Sequence, residues 1–260
     1  MEKKTDNTAL AWFITSLGSL NSYGSTVLQT KQALDARSTK PLRQNVDDIA
    51  IYQDALKGIS AIKQVGFSAD GIIAINRVFD SPSDEEPNWP GHLRNAMYND
   101  DDRIGIIVDS KAKEAYFPPE HITKADIEKI VDRYKQSDHH ERDAWRVFAD
   151  LAKLQPFQDG NKRTVLIAAN AAYGTLENQN YLVFPFNDLD RAEFAINLMR
   201  YYQATTPANE GQAFEKMLSF LPTNREVLLR KPITTTDVEK AKTIRYKEQL
   251  RSRKDDGLEL

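Results

Sequence analysis

Along most of this chain apolar residues recur at steps of three and four, the spacing that lines one face of an α-helix. Between residues 8 and 34 the pattern is interrupted by Gly18 and Gly24, which predicts two helices with a break around 21–25. Ile49, Tyr52, Ala55, Leu56, Ile59 and Ile62 predict a helix over 46–65. Asp47 and Asp48 stand in its first turn, where acidic side chains favour the positive end of the helix dipole, and Gly66 follows its end. A further helix is expected over 70–79, capped by Ser68 or Asp70. The spacing resumes over 124–134 and 138–154, then in a helix opening at Asn161 whose stripe is Val165, Leu166, Ala169, Ala172, Tyr173 and Leu176. Two more amphipathic helices are predicted over 189–202 and 209–221.

The helical pattern fails in two places. Residues 80–90 are rich in Ser, Pro and acidic side chains and lead into Trp89-Pro90-Gly91, which reads as a loop. Residues 103–108 and 114–117 are short, β-rich runs around the polar turn 109–111, closed by Pro118-Pro119, which predicts a β-hairpin. The fold class is therefore all-α, mainly helical, with a small β-hairpin flap. Three regions are expected: an N-terminal helical region over 1–66, a core domain over 67–221 and a charged C-terminal extension over 222–260. Within the last, 234–254 is dense in Lys, Arg and Glu with few apolar anchors, as in a solvated helix or loose tail.

A chain of 260 residues, 40% hydrophobic and 28% charged, is long enough for a sizeable core and too apolar for a disordered protein. The absence of cysteine removes disulfides, thiolate metal sites and thiol nucleophiles, and fits a reducing compartment, so a cytoplasmic location is expected. A formal charge of −3 carries no global footprint for nucleic acid. The apolar run 12–19 is too brief to cross a membrane, and with Asp6 before it reads as a helix and not a signal peptide.

Candidate chemistry concentrates in Gln155-Pro156-Phe157-Gln158-Asp159-Gly160-Asn161-Lys162-Arg163, a turn between two helices. A helix N-terminus presents backbone amides and a positive dipole end, the usual way of holding phosphate oxygens. Gly160 permits close backbone approach, Lys162 and Arg163 add positive charge, Asp159 is placed to hold Mg2+, and Phe157 can anchor the turn in the core. The plain alternative is a helix cap followed by solvated Lys and Arg.

The stretch resembles the motif of the Fic/Doc family, His-x-Phe-x-Asp/Glu-Gly-Asn-Gly/Lys-Arg, at every position but the first, in its GNKR variant. Pro90-Gly91-x-x-Arg94 resembles the family's PGxxR segment, and the 104–117 hairpin before Pro118-Pro119 its target-binding flap. The likeness extends over about residues 8–220. It implies a helical Fic fold and transfer of AMP, or another phosphate-containing group, from ATP or another nucleotide to a hydroxyl of a target protein seated on the flap. Carried over by position, Asp159 would bind Mg2+, Gly160, Asn161 and Lys162 would hold phosphates, and Arg163 would grip the terminal phosphate region. The second arginine common in the family is Leu166 here.

Gln155 stands where the resemblance calls for the catalytic histidine. Its amide hydrogen-bonds but accepts no proton at ordinary pH, and loss of a general base costs on the order of 10²–10⁴ in rate. His139 and His140 lie some four turns upstream of Gln155, so surface positions are expected for them; the sequence does not place His92 or His121. Many family members also carry an inhibitory Ser/Thr-x-x-x-Glu-Gly/Asn. Ser19 to Gly24 occupies its N-terminal place with Tyr23 at the glutamate position, and Thr206 to Gly211, with Glu210, fits the pattern literally. Two functions are therefore expected to compete, a weakened or altered Fic-type transferase and an inactive nucleotide-binding pseudoenzyme. A DNA-associated interaction protein acting through the basic C-terminal segment is the third.

Overall fold

The structure is a computed structural model that describes residues 6–21, 23–83, 86–108 and 114–233. Among the described residues, long helices follow the predicted stripes: α1 Thr8–Gly18, α2 Val27–Ala36, α3 Val46–Val65, α4 Ala69–Arg77, α5 Lys124–Lys135, α6 Glu141–Leu154, α7 Asn161–Ala172 and, after a short α8 at Thr175–Asn178, α9 Asp188–Gln203. Then come α10 Pro207–Leu218 and a short α11, Arg225–Arg230. Strands β1 Ile106–Ile107 and β2 Ala115–Tyr116 pair antiparallel, Ile106 opposite Tyr116. The mainly helical class with one small hairpin is what the pattern of the chain predicts. The hairpin's strands are shorter than expected, and its tip, 109–113, lies outside the described residues, as does the charged 234–254 segment.

Local chemistry sets the boundaries. Ser68 Oγ accepts the Gly71 amide at 3.1 Å, so α4 starts at Ala69 and Asp70 is merely in its first turn. The helix expected from 138 begins at Glu141 because His139 is left-handed at φ 57° and the His140 amide donates to Asp143 at 2.9 Å. The predicted long helix from Asn161 stops at Ala172, and a left-handed Gly174, φ 72°, separates the last turn as α8. Thr206 caps α10 with Pro207 in its first turn, two residues before the expected start.

Helices α6 and α7 pack on one another, α3 and α4 pack against α7, and α9 with α10 lean on α6. The core between them holds an aromatic group of Trp145, Phe148, Phe184 and Phe194, with ring centroids 5.3–6.3 Å apart. The Phe184 amide donates to Ser16 Oγ at 2.7 Å, tying α1 to this core, and α11 packs on α1 through the buried Leu229. The effect is to fix the α6–α7 corner, residues 155–160, between the helices on one side and residues 86–108 and 114–122 on the other.

Candidate active site

Helix α6 ends because Pro156 disfavours a right-handed helical residue before it. Gln155 turns left-handed, φ 49° and ψ 62°, while its amide still donates to Leu151. Its side chain is buried, and Nε2 donates to the Ala152 carbonyl at 2.6 Å. The buried Tyr202 hydroxyl lies against it, and burial raises that phenol.

Phe157 is wholly buried and anchors the turn as expected. Asn161 holds the turn's shape: its Oδ1 accepts the Phe157 amide at 2.9 Å and its Nδ2 donates to the Phe157 carbonyl at 2.8 Å. Gly160 is left-handed at φ 71°, and a Cβ there would sit 2.8 Å from the Phe79 ring, so the position demands glycine twice over. As the N-cap of α7, Gly160 brings no side chain to the helix's first-turn amides. Beside them, Asp159 is exposed and accepts the Gly160 amide at 2.5 Å, and Lys162 is half-buried.

Arg163 faces inward instead. It is fully buried, with its NH1 2.7 Å from Glu86 Oε1 and its guanidinium 4.9 Å from the centre of the Phe79 ring. Behind Glu86 lies the buried Asp54, which accepts Ser81 Oγ at 2.8 Å and Lys57 Nζ at 3.1 Å. Burial, outweighing the pull of Arg163 and reinforced by the Asp54 carboxylate, pushes Glu86 up to about 8. Glu86 Oε2 and Asp54 Oδ2 are both buried without a donor among the described residues. Leu166, where a second arginine is common in the resembled family, is wholly buried in the core.

The outer wall of the turn comes from the Pro-Gly segment. Gly91, left-handed at φ 74°, donates its amide to Asn76 Oδ1 at 2.9 Å, and Asn76 Nδ2 donates to the Asp159 carbonyl at 3.0 Å. Arg94 is buried and spends its guanidinium on three carbonyls: Gln155 at 2.6 Å, Asp102 at 2.8 Å and Pro119 at 3.0 Å. Gln158 Nε2 donates to the buried Asp102 at 2.7 Å, and its Oε1 accepts the Trp89 amide at 3.0 Å. Asp102 also accepts His92 Nε2 at 2.9 Å and the Asn95 amide at 2.6 Å. Burial opposes its ionisation, but these hydrogen bonds prevail and hold it below the usual carboxylate range.

The turn thus brings together Gln155, Asp159, Gly160, Asn161, Lys162 and Arg163, though only the neighbourhood of Asp159 and Lys162 faces outward. Tyr23 is elsewhere, its hydroxyl 2.8 Å from Thr30 Oγ1, under α2. Glu210 pairs with Arg146 and Lys153, each at 3.2 Å, on α6. His139 stacks on Tyr134, and His140 starts α6. The sequence reading missed Asn76, Glu86, Asp102 and Gln158. Asn76 had a signal, a lone amide on a helix otherwise lined by Ile72, Ile73 and Ile75. The others sit in polar stretches that look like solvated loop.

A Mg2+ ion in a phosphate site takes one or two carboxylates, with substrate oxygens and water completing its shell. An exposed carboxylate at Asp159, beside a helix N-terminus, fits that donor chemistry.

Residues 66–173, from the end of α3 through α7, match the model of the Fic/DOC family. Among solved structures, the chain is similar to a Fic domain containing signaling protein from Bacteroides thetaiotaomicron VPI-5482, with a TM-score of 0.58 and 17% identity, over 85% of this chain and 82% of that one. A search of curated proteins gives no significant match.

Proposed function

We propose, proceeding from a Fic/DOC-type domain over residues 66–173, that this protein transfers AMP or another phosphate-containing group from ATP or a related nucleotide to a hydroxyl of a target protein, at a reduced or altered rate. The observation that carries the reading is the start of α7, where the N-cap is a glycine that brings no side chain to the first turn and Asp159 stands exposed beside it. Phosphate oxygens would lie on the amides of that turn with Lys162 at their flank, and Mg2+ held by Asp159 would neutralise phosphate charge during transfer. The target would meet the hairpin, where Ile107 and Phe117 are 61% and 71% exposed.

Arg163 acts here by fixing the first turn of α7 against Glu86. A phosphate grip by Arg163 would require its contact with Glu86 to open. The resembled family's second arginine is absent too, which leaves Lys162 as the other basic residue of the motif.

A second reading, a nucleotide-binding pseudoenzyme, draws on Gln155, whose amide is turned back onto Ala152 and accepts no proton. Replacing Gln155 by His separates the two. The chain and its Gln155→His variant are incubated with labelled nucleotide, Mg2+ and candidate target proteins, with Asp159→Ala as control. Transfer by the unaltered chain above the control supports the transferase. Transfer by Gln155→His alone supports the pseudoenzyme, and transfer by neither removes the proposed activity.

A further inference from the structure

We propose that His92, oriented by Asp102, is the proton acceptor for the target hydroxyl, in the role that Gln155 cannot fill. The inference rests on the transferase reading above and goes on to name its base.

Of the four histidines, His92 alone is held by a buried carboxylate at the wall of the 155–160 turn. His121 is exposed after the flap, His139 lies on the Tyr134 ring, and His140 begins α6 at its far end. The dyad is joined to the turn by two short routes. Asp102 accepts from His92 on one oxygen and from Gln158, next to Asp159, on the other. Gly91, next to His92, bonds to Asn76, which bonds to the Asp159 carbonyl.

Chemistry then assigns the tautomer. Asp102 is an acceptor for three donors, so the nitrogen facing it, Nε2, carries hydrogen and the lone pair of the neutral ring is on Nδ1. Trp89 stacks on the ring at 4.1 Å and 13°, fixing its plane, while the side chain stays 22% exposed and reachable from solvent. A buried carboxylate behind an imidazole also stabilises the cation formed when the ring takes a proton, as in serine hydrolase triads.

In the step proposed, the target O–H bond breaks and its proton passes to His92 Nδ1. The target oxygen bonds to the nucleotide phosphorus under attack. The bond from that phosphorus to its leaving oxygen breaks with its electron pair, which departs on pyrophosphate for AMP transfer or on a nucleoside diphosphate for phosphoryl transfer. A catalytic role for His92 would account for a motif that keeps Asp159, Gly160 and Asn161 while carrying glutamine at position 155.

The test uses the full chain, ATP labelled on its α- or γ-phosphorus, Mg2+ and a clarified cell extract as the source of acceptor hydroxyls. His92→Ala and His92→Gln are compared with the unaltered chain, with and without added imidazole. Expected is a fall of about 10²-fold or more in turnover for both variants, an unchanged KM for ATP, and partial recovery of His92→Ala by imidazole. Labelling by both variants at the unaltered rate overturns the role of His92 and leaves the transferase reading standing. A fall that imidazole does not repair, with a lowered melting temperature or a raised KM, assigns His92 to structure and overturns the proposal. If the unaltered chain labels nothing, the transferase reading falls, and the base assigned to it falls too.

Discussion

At the scale of single residues, the side chains around the 155–160 turn divide by what they face. Arg94 is wholly structural in its contacts, since its planar fork satisfies three carbonyls from three different segments. Arg94→Lys places one compact ammonium where three directions must be served, and Arg94→Ala serves none. Urea unfolding is expected to show a loss of about 3 kcal/mol or more for Arg94→Ala, at roughly 1–3 kcal/mol for each buried carbonyl left without a donor. A loss under about 0.5 kcal/mol would mean that water replaces the fork.

Glu86 is a residue-scale feature with a pH signature. Its folded-state pKa lies above the ordinary glutamate range, at about 8, because it is buried beside Asp54. The folded protein therefore retains a proton that the unfolded chain has released. The stability this contributes is complete below the unfolded pKa and is lost as pH rises through the folded value. Between about pH 5 and 8 the unfolding free energy should fall with pH, and Glu86→Gln should flatten the slope. An identical slope in both proteins contradicts the assignment.

At the scale of elements, the helix–turn–helix owes its shape to side chains that the resemblance assigns to phosphate. Asn161 closes the turn through both polar groups of Phe157. Asn161→Ala is expected to cost about 1–3 kcal/mol of stability by leaving buried backbone groups without partners. If Asn161 served phosphate alone, nucleotide affinity would fall and stability would not.

The elements were also the most legible part of the sequence. Helix α3 keeps its predicted bounds because apolar stripe, acidic first turn and terminal glycine agree. Helix α6 starts three residues later than the spacing predicts, because nothing in the spacing reveals that His139 goes left-handed; that is settled by the cap at His140. The 155–163 stretch was legible as a site because its motif is contiguous. Its supports were not, since Glu86 meets Arg163 and Asp102 meets Gln158 across long sequence separations. Acidic runs such as 100–102 look solvated until the fold buries one member, here Asp102.

For the whole molecule, one apolar core runs from Ala9 in α1 to Leu229 in α11, so the last short helix belongs to the packed body. Leu229→Ala should lower stability by about 2–4 kcal/mol, read by chemical denaturation, and a neutral effect would make α11 a loosely attached segment. The assembly of helices holds the start of α7 rigid while leaving Asp159 and the hairpin's Ile107 and Phe117 on the outside. The proposed function requires that division, with an outward face at Asp159 that takes phosphate and Mg2+. Isothermal titration calorimetry tests it most directly, titrating ATP and related nucleoside triphosphates in Mg2+ into the unaltered chain and into Asp159→Ala. Expected is saturable binding by the unaltered chain, weakened at least about tenfold, or about 1.4 kcal/mol, in Asp159→Ala. Absence of binding to any of the nucleotides, or equal binding by both proteins, would contradict it.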